Sequence, residues 1–140
     1  MMHRRSLGNG RRLAILGALA ILVGCVLPWY SLGGDGGLPR ETFRAFDGPG
    51  ILPFVAAIAT LALVALPYAA GERPVGIDRG LVYGLLALLA VAGVLLWIPN
   101  VLGAPIGLLP DRAPGYWATV VGAIILARGA FEIATERPRR

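Results

Sequence analysis

The sequence predicts an all-α membrane protein, a four-transmembrane-helix bundle forming one domain over residues 1–140. Three observations predict it. Four stretches are long and apolar enough to cross a bilayer's hydrocarbon core, which takes about 20 mainly apolar residues in a helix. The segments between them are rich in glycine, proline or charge, the composition of turns that reach water. The arginines also fall almost entirely on one side of the threading these spans impose. Bulk composition agrees, with 56% hydrophobic and 15% charged residues, where a soluble domain averages about 25% charged.

The first span, 13–30, carries no charge and follows the pairs Arg4-Arg5 and Arg11-Arg12. The second, 51–70, is also uncharged. Pro53 falls in its first turn, where a missing N–H matters little, and Pro67 near its end bends or stops the helix. The third, 81–98, is uncharged, and the fourth, 116–135, is apolar except for Arg128 and Glu132. None of these runs has the polar face of an amphipathic helix in a soluble bundle, so they face lipid or one another.

Residues 31–50 and 99–115 are Gly- and Pro-rich outer loops, and 71–80 is a short charged turn. In the first outer loop, Pro39 is expected to open a short helix with Phe43 and Phe46 on one side, lying along the interface or capping the bundle. The second holds Val101, Leu102, Ile106, Leu108 and Leu109, too apolar for a solvated connector; they dip into the headgroups or pack beneath the first loop.

Charge sets the orientation. With a cytoplasmic N-terminus, Arg4, Arg5, Arg11, Arg12, Arg73, Arg79, Arg128, Arg137, Arg139 and Arg140 lie inside, and only Arg40, Arg44 and Arg112 outside. Four acids on each side leave +6 inside and −1 outside, together the chain's net +5. Both termini are therefore expected in the cytoplasm, in a multi-pass protein of the cell membrane. Trp29 and Tyr30 end the first span, Trp97 ends the third, and Tyr116 and Trp117 open the fourth, so these aromatics mark the outer interface. The arginines flank spans instead of lining one helix face, which points to topology and anionic lipid, with no nucleic-acid partner.

Aligning Trp29 with Trp97 also pairs Leu13 with Leu81 and Arg11 with Arg79, while Pro49-Gly50 and Pro114-Gly115 each open a returning span. This suggests two tandem two-helix repeats in parallel topology, against the alternative that apolar runs align by chance. The small pairs Ala14/Ala18, Ala20/Gly24, Ala118/Gly122 and Ala123/Ala127, four apart, let helix backbones approach closely, within the bundle or between protomers.

Few residues offer chemistry. Leu22-Val23-Gly24-Cys25 matches a lipoprotein signal, with cleavage before Cys25 and acylation of that cysteine. Arg11-Arg12 adds a twin-arginine likeness. The apolar run continues to Trp29 without a polar tether, so the retained span is preferred. Arg128 and Glu132 share a helix face at i,i+4 and form the candidate intramembrane pair; they read first as an interfacial pair ending the span, with ligand or partner binding second. His3 is read as solvated, and Gly33-Gly34-Asp35-Gly36-Gly37 lacks the lysine and the strand–helix context of a phosphate loop. No catalytic residues, metal ligands or cofactor-binding residues are expected, and the chain reads as non-enzymatic.

The Leu27-Pro28-Trp29 end of the first span, the glycine-rich loop and Asp47-Gly48 before the second span resemble the many uncharacterised small four-span membrane proteins of prokaryotes. That resemblance implies integral membrane location and no known reaction. Abundant arginine without lysine, with much Ala, Gly and Pro, fits a GC-rich prokaryotic genome. A likeness to claudin-type tetraspans fails, because the first outer loop has no cysteine. The expected role is structural or accessory, through packing against lipid, a second copy or another membrane protein. The alternative is a subunit of an oligomeric transporter or channel.

Overall fold

Four helices form the architecture in a computed structural model, which describes residues 8–32, 36–37, 39, 41–48, 50–69, 78–102 and 114–136. They are α1 (Asn9–Val26), α2 (Ile51–Ala69), α3 (Arg79–Leu102) and α4 (Pro114–Thr135). All four are long and apolar enough to cross a membrane. Around the bundle α1 packs on α2, α2 on α3, α3 on α4 and α4 back on α1, each antiparallel to the next. Large apolar side chains such as Leu16, Leu19, Leu85, Leu88, Val121, Ile124 and Phe131 point outward. In water that surface would be a severe liability; in lipid it is the expected exterior.

Local chemistry sets the helix ends. The first helix stops at Val26, earlier than the expected span end at residue 30. Pro28 is the cause: its ring disfavours the helical region for the preceding residue, and Leu27 is extended at φ −72°, ψ 152°. Trp29 and Tyr30 thus lie beyond the helix. Pro53 occupies the first turn of α2 and Pro67 its last, so the helix continues only to Ala69. The third helix opens behind Asp78, whose Oδ1 accepts the Leu81 N–H at 3.3 Å as an N-cap. Pro114 starts α4, where its fixed φ suits the first helical position.

The α1–α4 seam is the most extensive contact, and its repeat is seven residues, not the four of the small-residue pairs. Gly10, Gly17 and Gly24 on α1 face Gly129, Gly122 and Gly115 on α4, in that order. A Cβ at Gly17 would lie 2.6 Å from the Leu126 backbone N, and one at Gly129 2.7 Å from the Ala14 N. Larger side chains sit against the glycines where there is room, Ile21 against Gly122 and Ile133 against Gly10, while Gly17 meets the Leu126 backbone. This is knobs-into-holes packing with backbones nearly touching, on a heptad spacing. Of the four-apart pairs, Ala14, Ala18, Gly24, Gly122 and Ala123 are buried, whereas Ala20, Ala118 and Ala127 are only half-buried.

The offset that suggests tandem repeats places its two tryptophans differently, since Trp97 lies within α3 and Trp29 beyond α1. The opposite seam also differs: Gly93 of α3 sits against Pro53 and Leu52 of α2, without the triple glycine register.

The first outer loop corrects another expectation. Instead of a helix after Pro39, strand β2 (Glu41–Phe43) pairs antiparallel with β1 (Tyr30–Leu32), matching Tyr30 with Phe43 and Leu32 with Glu41. A 3₁₀ turn follows at Ala45–Asp47. Pro28 leaves the chain extended, Thr42 and Phe43 favour strand, and the Trp29 N–H donates to the Phe43 carbonyl at 2.8 Å. The Arg44 N–H donates to Asp47 Oδ2 at 2.7 Å, which fixes the turn. Val101 and Leu102, expected in the second loop, belong instead to the last turn of α3, which continues past the expected span end at residue 98. Ile106, Leu108 and Leu109 lie outside the described residues, as does the Tyr30 side chain.

Candidate functional site

At the end of the bundle expected to face outward, sequence-distant aromatics converge. Trp29 and Trp97 meet with ring centroids 5.1 Å apart, and Tyr116 stands edge-on to Trp29 at 5.4 Å. Trp117 lies edge-on to Tyr116 at 6.1 Å. The rings gather at one end of the bundle, but three of them are turned inward. Trp29, Trp97 and Tyr116 are only 1%, 3% and 5% exposed. They form a plug inside the bundle mouth, and Trp117 alone of the four turns outward.

Polar tips lock the plug. Trp29 Nε1 donates to the Gly24 carbonyl at 3.0 Å, satisfying a last-turn acceptor that α1 itself leaves without an intrahelical donor. The Tyr116 hydroxyl donates to the Val94 carbonyl at 3.3 Å, and the Gly115 N–H to the Pro28 carbonyl at 3.0 Å. Above it the loop folds inward: a Cβ at Gly48 would lie 3.0 Å from the Trp97 ring, and one at Gly50 2.6 Å from the Ala45 Cα. Phe46 stacks edge-on to Phe54 at 5.0 Å. Hairpin, turn and aromatics together make a lid continuous with α1, α2, α3 and α4.

Cys25 lies inside this end, fully buried, with Sγ 4.0 Å from the Gly50 carbonyl. It packs as a small hydrophobe where α1 meets the start of α2. We expect it to resist maleimide in detergent and to react once SDS unfolds the bundle; rapid labelling of the folded protein would contradict this burial.

The pair Arg128–Glu132 sits far from the plug, in the second half of α4. Nε lies 3.4 Å from Oε1, with the arginine 64% and the glutamate 30% exposed. The guanidinium also stands 5.9 Å from the Phe131 ring centroid. The pair faces outward and lines no interior path. Arg128→Ala should change bundle stability by less than about 1 kcal/mol, as for exposed pairs generally; a larger loss in an SDS unfolding titration would make it structural.

The buried polar side chains among the described residues are Thr60 and Thr119, whose hydroxyls donate to Ala56 and Gly115 of their own helices. No group of three metal-ligating side chains comes together among the described residues. On the outer side of the glycine seam, Leu19, Ala20, Val23, Trp117, Ala118 and Val121 line an apolar groove. Sequence reasoning passed over the glycine register, although its seven-residue spacing is plain in the chain. The chain matches no family model and no curated protein.

Proposed function

We propose that the chain is a small integral membrane protein with a structural or accessory, non-enzymatic role, acting through helix packing and complex formation, with cytoplasmic termini. One observation carries this reading: the interior is filled by packing. The α1–α4 backbones touch along three glycine pairs, and the mouth is closed by buried aromatics. Such a bundle offers a rigid shape to neighbours, with its hairpin lid and the seam groove as the surfaces a second copy or a membrane protein partner would meet. The likeness to small prokaryotic four-span proteins supports the same reading.

Retention of the first span fits this better than cleavage before Cys25. Cleavage would remove Gly10, Gly17 and Gly24 and leave α4 without the surface it packs on. The intact mass is accordingly expected to include residues 1–24. The decisive experiment is affinity capture in mild detergent, comparing the wild type with a variant whose residues 30–47 are replaced by a flexible linker. Loss of co-purifying protein or of self-association supports the reading; unchanged partners overturn it.

Arg128 favours a second reading, a subunit of an oligomeric transporter or channel. Its outward direction would place the guanidinium on a path shared between copies. Ion flux in liposomes that is lost in Arg128→Ala supports it, and flux equal to that of empty liposomes excludes it.

A further inference from the structure

The opposite end of the bundle carries a second convergence. Arg11 in the first turn of α1, Leu63, Val64, Leu66 and Pro67 late in α2, and Arg79, Val82 and Tyr83 at the start of α3 line one notch. It is shallow and open to the surroundings, with about 20 Å³ of it deep enough to hold a water-sized group. Arg79 and Tyr83 share a face of α3 at i,i+4. Tyr83 is only 3% exposed, and its hydroxyl has no hydrogen bond to a described residue, although both arginines act on it electrostatically.

Among the described residues no carboxylate lines the notch. Asp78 caps α3, Glu132 pairs with Arg128, and Glu136 lies beside Gly8. Two arginines and a tyrosine thus line one notch at the level where a spanning bundle meets the headgroups, and the rest of the wall is apolar. An anion is what two guanidiniums and a hydroxyl donor recognise, and the apolar wall adds a hydrocarbon chain to the requirement.

We propose that this notch is a binding site for one anionic phospholipid, its phosphate held by Arg11, Arg79 and the Tyr83 hydroxyl and an acyl chain lying against Leu63, Leu66 and Val82. The site rests on the membrane reading above and extends it. It would tie α1, α2 and α3 together at the end opposite the aromatic plug.

Native mass spectrometry of the detergent-solubilised protein tests it, with phosphatidylglycerol, phosphatidylcholine of matched chains, and inorganic phosphate as probes. The wild type should retain phosphatidylglycerol roughly tenfold over phosphatidylcholine. R11Q/R79Q should lose that preference, R11K/R79K should keep most of it, Y83F should weaken it severalfold, and R128Q should leave it intact. Equal retention of the two lipids by the wild type, or an undiminished preference in a helical R11Q/R79Q, overturns the site. Displacement of the lipid by excess inorganic phosphate overturns its lipid character. If R11Q/R79Q fails to fold, the wild-type lipid comparison and Y83F, which keeps the buried ring, decide. Carbonate extraction from liposomes separates the two readings: extracted protein refutes membrane insertion, whereas retained protein without lipid preference refutes only the site.

Discussion

Gly17→Leu is expected to prevent the native bundle from forming, at a cost of about 3 kcal/mol or more, above the usual range for an overpacked core. The magnitude follows from what the new side chain would meet. At Gly17 the obstacles are the Leu126 N at 2.6 Å, the Gly122 carbonyl at 2.8 Å and the Leu126 Cα at 2.9 Å, all backbone atoms. A side chain swings away by changing rotamer, but a helix backbone yields only by moving the helix. Separating α1 from α4 would also open the neighbouring Gly10–Gly129 and Gly24–Gly115 contacts, since all three share one rigid register. Even Gly17→Ala should be clearly destabilising. Gly84→Ala is the control, because a Cβ there meets nothing within 4 Å, so stability should hold or rise slightly with helix propensity. SDS titration followed by circular dichroism reads both. Gly17→Leu unfolding at the Gly84→Ala midpoint would show that the seam is not the bundle's main contact.

Helix number, approximate bounds and apolar exterior were legible in the sequence because each depends on properties summed over about 20 residues. What escaped depends on single positions. Pro28 ends the first helix four residues early through its effect on Leu27, and that displacement carries Trp29 from the helix surface into the bundle mouth. Hydropathy places a tryptophan at a depth, but it does not say whether the ring points to lipid or inward. The seam escaped for a different reason. Pairs of small residues four apart are common wherever alanine is abundant, so they hid a rarer pattern of glycines seven apart. That pattern becomes specific only when two helices carry it in opposite order. The hairpin was missed because Phe43 and Phe46 fit one side of a helix equally well. Strand won because the extended chain after Pro28 supplies a partner from a distant part of the sequence. The notch with Arg11, Arg79 and Tyr83 likewise joins residues from three helices, and no local spacing announces it.

Trp29→Ala is expected to cost about 3–5 kcal/mol, the range for deleting a large buried aromatic. An interfacial anchor would behave otherwise, since an indole already in contact with headgroups leaves no cavity when it is removed. Here the ring is 1% exposed and touches Trp97 and Tyr116, so truncation empties the centre of the plug. It also deprives the Gly24 carbonyl of its donor, at the point where α1 meets Gly115 of α4. The loss should spread into the top of the glycine seam and loosen the hairpin, whose first hydrogen bond comes from the Trp29 backbone. Trp29→Phe separates the contributions. A phenyl ring keeps part of the packing and loses the N–H, so it should recover most of the stability and remain roughly 1–2 kcal/mol below wild type. Tryptophan fluorescence offers a second readout, because Trp97, buried beneath the loop, should shift to longer wavelength when Trp29 is removed. A loss below about 1 kcal/mol for Trp29→Ala, with Trp97 emission unchanged, would return Trp29 to the lipid interface and refute the plug.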